Sequence, residues 1–98
     1  MAEELYNIQY ADEAVRDLRA LRAFEQRAIL NAIEQQLGAN PTQVSRTRIK
    51  EMRQPYWSQY RLRVDDFRVY YDVDVAQRTV SILRVLEKGS GETPGRSP

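Results

Sequence analysis

Apolar positions change their period along the chain, and the change marks the elements. Tyr6, Ile8 and Tyr10 alternate with Leu5, Asn7 and Gln9, which predicts a strand over residues 5–10. Ala14, Val15, Leu18 and Leu21 then recur at helical spacing, with Arg16, Asp17 and Arg19 on the other side. This predicts a first helix over 12–22, with Asp12 as its N-cap. Ile29, Leu30, Ile33 and Leu37 predict a second helix over 25–38, stopped at Gly38 and blocked by Asn40-Pro41. The short Ala23-Phe24 link predicts an antiparallel helical hairpin. Two such helices cannot bury their apolar stripes against each other alone and need a sheet.

The second half supplies strand patterns. Residues 39–47 read as a loop, 49–52 as a short strand, and 58–64, 67–73 and 79–87 as three longer strands. Asp65-Asp66 and the stretch from Asp74 to Arg78 are the turns. The order is β-α-α-β-β-β, an α+β domain over residues 1–88 with the helical hairpin packed on a mostly antiparallel sheet. From Gly89 the chain reads GSGETPGRSP, the composition of a disordered tail over 89–98.

Strand alternation also sorts the side chains by face. Tyr60, Leu62 and Val64 share one face with Phe67, Val69, Tyr71 and Val73. Arg61 and Arg63 share the other with Arg68, Tyr70 and Asp72. A two-residue turn at Asp65-Asp66 places Val64 opposite Phe67, Arg63 opposite Arg68 and Arg61 opposite Tyr70. Like charges opposed across strands are destabilising by a few tenths of a kcal/mol, so their presence asks for an explanation. Alternation in the last strand is poor. Placing Ser81, Leu83 and Val85 toward the helices adds Arg84 and Lys88 to the cationic side.

Composition narrows the chemistry this surface can carry. The 98 residues contain no cysteine and no histidine, which excludes disulfides, thiol nucleophiles, imidazole metal ligands and a Ser-His-Asp triad. No apolar run approaches the roughly 20 residues of a membrane span. The start Met1-Ala2-Glu3-Glu4 lacks the basic and apolar regions of a secretory signal, so a cytoplasmic location is expected. The formal charge of +1 conceals −3 over residues 1–45 and +4 over 46–98. A sheet face can carry solvated arginines whose stems merely shield apolar atoms. Five cations (Arg61, Arg63, Arg68, Arg84 and Lys88) on one surface beside Tyr70 point instead to phosphate binding. Tyr56 and Trp57 are read as covering an edge of the core.

The segment Tyr60-Arg61-Leu62-Arg63-Val64-Asp65-Asp66-Phe67-Arg68-Val69-Tyr70-Tyr71-Asp72-Val73-Asp74 resembles the "YRLRVGDYRVIYEID" core of RelE/ParE-superfamily toxins. Ser81-Ile82-Leu83-Arg84-Val85 resembles that family's "VVILRVGHR" strand, and residues 10–18 resemble its "FSPEALKDLKKL" opening. The resemblance covers about residues 5–88. It implies a RelE-like toxin of a bacterial toxin–antitoxin pair, which cuts mRNA in the ribosomal A site without a metal or other cofactor. In that chemistry the 2′-hydroxyl attacks the adjacent phosphate, leaving a 2′,3′-cyclic phosphate and a 5′-hydroxyl.

Carried over by position, Arg61 and Arg63 contact RNA and assist proton transfer, and Arg68 stabilises the five-coordinate phosphorus. Lys88 sits near the place of a C-terminal catalytic arginine, while Lys50, Tyr70 and Arg84 fall to RNA binding. The family's Gly-His-Arg reads Leu86-Glu87-Lys88 here, and a downstream tyrosine has no counterpart. The general acid or base stays open among Tyr70, Glu87 and Glu51. The implied partners are a cognate antitoxin, whose amphipathic helix lies against the hairpin or sheet, and the ribosome with its mRNA. The alternatives are a ParE-like, non-catalytic inhibitor of DNA gyrase, or a degenerate member that only binds a partner.

Overall fold

The computed structural model describes residues 5–53 and 58–88. The expectations about residues 1–4, Tyr56, Trp57 and the tail from Gly89 lie outside the described residues. The elements are β1 (Asn7–Tyr10), α1 (Asp12–Arg19), α2 (Ala23–Ala32), β2 (Ile49–Glu51), β3 (Tyr60–Val64), β4 (Phe67–Asp74) and β5 (Thr79–Glu87). Their order is β-α-α-β-β-β-β, the expected helical hairpin between a first strand and the strands of the second half, with the short strand at 49–52 counted as β2. The five strands form one sheet in the order β1-β5-β4-β3-β2. β1 runs parallel to β5, and every other pairing is antiparallel. None of the helices is long and apolar enough to cross a membrane among the described residues.

Both helices depart from the sequence reading at their ends. Asp12 is the first residue of α1 rather than its cap; Ala11 holds the cap position and makes no side-chain cap bond. Asp12 and Glu13 instead place carboxylates in the first turn, where the helix dipole favours them. α1 stops at Arg19, yet Leu21 still packs on the core, which is why the apolar pattern overruns the helix. α2 begins two residues early because Glu25 Oε1 accepts the Arg22 N–H at 3.1 Å and closes the first turn.

α2 continues into a π-helical turn, Ile33–Leu37, that buries both end residues. Gly38 follows with φ −68°, so its lack of a side chain is not explained by backbone conformation. Proximity explains it: a Cβ there would lie 2.5 Å from the Glu34 carbonyl oxygen. The Gly38 carbonyl in turn accepts the Tyr6 N–H at 2.8 Å, pinning the start of β1 to the end of the helix.

The core lies between the helices and one sheet face. Ala14, Leu18, Ile29, Ile33 and Leu37 meet Ile49, Leu62, Val64, Phe67, Val69, Tyr71, Val80, Ile82 and Val85. Each large aliphatic side chain buried this way contributes on the order of 1.5–3 kcal/mol. Tyr71 is fully buried, stacks on Tyr60 at 5.5 Å, and donates its hydroxyl to the Pro41 carbonyl at 2.7 Å. That bond fixes the loop between the π-helical turn and β2 against the centre of the sheet.

β5 corrects one assignment. Its register slips between Tyr70 and Tyr71, which pair with Arg84 and Ile82, so Leu83 is an extra residue in a bulge. The bulge resets the alternation. Val80, Ile82 and Val85 therefore all face the helices, and Ser81 and Leu83 do not join the core as the alternation suggested.

Two outcomes follow from this packing. Tyr71→Phe leaves the buried Pro41 carbonyl unpaired and lowers stability by about 1–2 kcal/mol, measured by urea unfolding. Burial raises the pKa of Tyr71 above its ordinary value, with Tyr60 adding to the effect; Tyr10 and Tyr60 are raised too, chiefly by burial. A raised phenol favours the folded state while neutral. That stabilisation is complete below about pH 10, the unfolded value, and is lost as pH climbs through the folded values. Melting temperature should thus hold from neutral to about pH 9 and fall beyond pH 10, less steeply in Tyr71→Phe.

Candidate nucleic-acid interface

The β3–β4 hairpin forms in the expected register: Tyr60 opposite Tyr71, Arg61 opposite Tyr70, Leu62 opposite Val69, Arg63 opposite Arg68 and Val64 opposite Phe67. Its two-residue turn holds Asp65 at φ 52°, a conformation that Asp and Asn tolerate better than most side chains. Leu62, Val64, Phe67 and Val69 are buried, which commits Arg61, Arg63 and Arg68 to the face away from the helices. Strand neighbours lie about 4.8 Å apart, so the three guanidinium groups start from adjacent rungs.

β2 widens this surface. Lys50 stands opposite Arg61 and Ile49 opposite Leu62. One step further, Arg63 donates its N–H to the Arg48 carbonyl at 2.7 Å. The rungs therefore read Lys50–Arg61–Tyr70 and Arg48–Arg63–Arg68. Arg48 was not singled out from the sequence. Its place is set by Ser45, whose Oγ accepts the N–H groups of both Arg48 and Ile49, at 3.0 and 3.1 Å. A Ser three residues ahead of Arg48 was the available signal, but pairing with a three-residue strand could not be read from it.

Electrostatics confirm that the cations sense each other. The Arg68 pKa is lowered, first by burial and then by the charges of Arg61 and Arg63. Arg68 Nη1 donates to the carbonyls of Phe67 and Asp65, at 3.1 and 3.4 Å, which orients the guanidinium fork at the turn. No ion pair ties Arg61, Arg63 or Arg68 to a carboxylate among the described residues.

Arg84 behaves otherwise. Its Nε and Nη2 donate to Asp17 of α1 at 2.7 and 3.1 Å, and Asp17 also accepts the Val85 N–H at 2.8 Å. β1 pairs with β5 only as far as Ile82, so Asp17 satisfies the edge that β1 leaves behind. Arg84 is thereby drawn toward α1 rather than added to the cationic rungs. Lys88 lies just past β5, with its N–H on the Asp66 carbonyl at 2.6 Å, so its exposed side chain starts beside the hairpin turn. Tyr70 is on the cationic parity but only 8% exposed, and it lies outside the main core cluster. Glu51 and Glu87 pair with Tyr60 and Phe67, on the helix-facing parity. No three acidic side chains converge as a metal site requires among the described residues.

The arrangement can hold a polyanion: Lys50, Arg61, Arg63 and Arg68 on three adjacent strands with Arg48 just ahead of β2, fixed by backbone pairing. Comparison with known proteins agrees in fold. The structure is similar to the RelBE2 toxin–antitoxin complex from Mycobacterium tuberculosis, at 26% identity and a TM-score of 0.76, over 88% of this chain and 94% of that one. It resembles the archaeal RelE–RelB complex from Pyrococcus horikoshii at 22% identity and a TM-score of 0.70, over 88% and 98% of the two chains. A mutant of the E. coli toxin RelE in the free state shares the fold at 14% identity and a TM-score of 0.67, over 90% and 87%. No curated protein sequence matches the chain. Residues 8–90 match the family described as ParE toxin of type II toxin-antitoxin system, parDE. With that match over most of its length, the chain belongs to the ParE toxin family of type II toxin–antitoxin systems, within the RelE/ParE superfamily.

Proposed function

We propose that this toxin is a ribosome-dependent mRNA endoribonuclease of the RelE type, acting in the cytoplasm and held inactive by a cognate antitoxin. The observation that carries the reading is the paired rung Arg48–Arg63–Arg68 beside Lys50–Arg61. Arginine offers permanently charged, bidentate donors to phosphate oxygens, and charge developing on phosphorus is what such donors stabilise. In the reaction the 2′-oxygen bonds to phosphorus, the bond from phosphorus to the 5′-oxygen breaks, and the leaving oxygen takes up a proton. Arg68, with its fork oriented at the turn, neutralises the five-coordinate phosphorus. Arg63 and Arg61 hold the phosphate and its neighbour, Lys50 and Arg48 extend the track along the strand, and Lys88 approaches from the end of β5.

Proton transfer is the step for which this face is poorest. Glu51 and Glu87 have the wrong parity and Tyr70 is covered, so the base comes from the ribosome-bound substrate complex or from Tyr70 once the surface is engaged. This is the feature that favours the second reading, a non-catalytic ParE-like inhibitor of DNA gyrase, since a cationic face without a base binds without cutting.

Mapping RNA ends after brief induction separates the two. The wild type should leave codon-periodic cuts with 5′-hydroxyl ends, and Arg68→Ala should reduce them by about 10²–10³-fold with an unchanged circular-dichroism spectrum. Uncut mRNA with lost plasmid supercoiling establishes the gyrase reading instead. The same charges oppose folding: Arg63→Gln should raise stability by a few tenths of a kcal/mol at low salt while weakening cleavage. Added sulfate should narrow that difference in the urea midpoint.

A further inference from the structure

The rung that begins at Lys50 has a fourth member. Lys50 stands opposite Arg61, Arg61 opposite Tyr70, and Tyr70 opposite Arg84 of β5. Directly opposed residues leave a sheet on the same side, so strand parity assigns Arg84 to the cationic face. Arg84 is also the diagonal neighbour of Arg68, which lies two residues before Tyr70 on β4, at a Cβ separation of about 7–8 Å. Its guanidinium group is nevertheless turned to α1. Nε donates to Asp17 Oδ2 at 2.7 Å and Nη2 to Oδ1 at 3.1 Å, while Oδ2 also accepts the Val85 N–H at 2.8 Å. The Arg84 side chain is 30% exposed and that of Asp17 only 15%.

Joining α1 to the free edge of β5 needs no charge. The Val85 N–H bond makes that join, and a neutral acceptor at position 17 would serve it as well. The carboxylate adds the ion pair, and the ion pair takes from the rung the sole cation of β5. We propose that Asp17 bounds the anion-binding face: it withholds Arg84, and with it a further phosphate contact beside Arg68, so that the track for single-stranded RNA ends at β4. The proposal rests on the RNA-binding part of the reading above and not on cleavage. The charges of Arg61 and Arg63 already depress the Arg68 pKa, after burial. Another guanidinium group at the diagonal position would add to this repulsion in the free protein and recruit one more phosphate in the complex. Asp17 therefore raises stability and lowers affinity.

The test is equilibrium binding of the full chain to fluorescent oligouridylate over a range of salt concentrations. Asp17→Asn keeps an acceptor for the Val85 N–H and removes the charge. Its melting temperature should fall while its affinity rises about threefold at low salt. The slope of log affinity against log salt should steepen by about 0.7, the increment for one added phosphate contact on a single strand. Asp17→Asn/Arg84→Gln should return the slope to the wild-type value. Asp17→Ser, which also keeps an acceptor, serves where the asparagine variant does not fold. Were Asp17 only a staple, stability would fall with binding unaltered or weaker, and that result overturns the proposal. A gain that persists in the double variant overturns it too, since loss of negative charge alone would then account for the tightening. So does the absence of binding by both the wild type and Asp17→Asn. Tighter binding that depends on Arg84, in a protein that leaves mRNA uncut, upholds the boundary and removes the cleavage reading alone.

Discussion

The register of the β3–β4 hairpin is the constraint on which the rest depends. Side chains alternate with period two, so a one-residue slip would carry Arg61, Arg63 and Arg68 into the space now filled by Leu62, Val64 and Val69. Burying an unpaired charge costs several kcal/mol per ion, far more than any strand propensity returns. The apolar face and the cationic face are therefore one constraint seen from two sides. A tight turn with Asp65 at positive φ admits few alternatives, and the neighbouring strands inherit its parity. Lys50 joins the cations because β2 pairs in phase with β3, and Val85 joins the core because β5 pairs in phase with β4.

What was legible in the sequence follows the same logic. The element order and the β3–β4 register depend on local periodicity and a short turn, and both are written in adjacent residues. Three features escaped. The bulge at Leu83 makes Val80, Ile82 and Val85 co-facial, a pattern that simple alternation reads as noise. The Arg84–Asp17 bridge joins residues 67 apart, and nothing local distinguishes Arg84 from the arginines that stay on the face. Arg48 stands beside Arg63 only because Ser45 turns the chain into β2, a contact between residues separated by a loop and another strand. The helix ends were misjudged for a simpler reason: Leu21 is apolar because it packs, not because it is helical.

Congestion of positive charge on one face would ordinarily be relieved by interleaved carboxylates. Two of the nearby carboxylates are committed elsewhere. Asp17 holds Arg84 and the free edge of β5. Asp72, on the cationic parity, accepts the Gln59 N–H at 2.7 Å, while Gln59 accepts the Val73 N–H, so this pair extends the hairpin instead of neutralising it. Among the described residues Arg61 and Arg63 form no ion pair, and next to burial their charges depress the Arg68 pKa, with Asp66 acting in the opposite sense. Folding thus tolerates a small repulsion for which backbone pairing more than compensates. A bound polyanion would remove that repulsion, so part of the binding free energy is already stored in the free protein.

The same economy of carboxylates bears on mechanism. Preorganised cations stabilise charge but do not accept protons, since an arginine remains protonated even when neighbours lower its pKa. Glu51 and Glu87 take the helix-side parity, and the Tyr70 hydroxyl belongs to a buried side chain. Strand pairing fixes these placements. Transfer of the 2′-hydroxyl proton on this face accordingly requires a group from outside the chain or exposure of Tyr70 on engagement. Under the proposed endoribonuclease reading, either route would tie cleavage to assembly on a larger particle. On the proposed cleavage reading, dependence on the ribosome would follow from the placement of Glu51 and Glu87 and the burial of Tyr70.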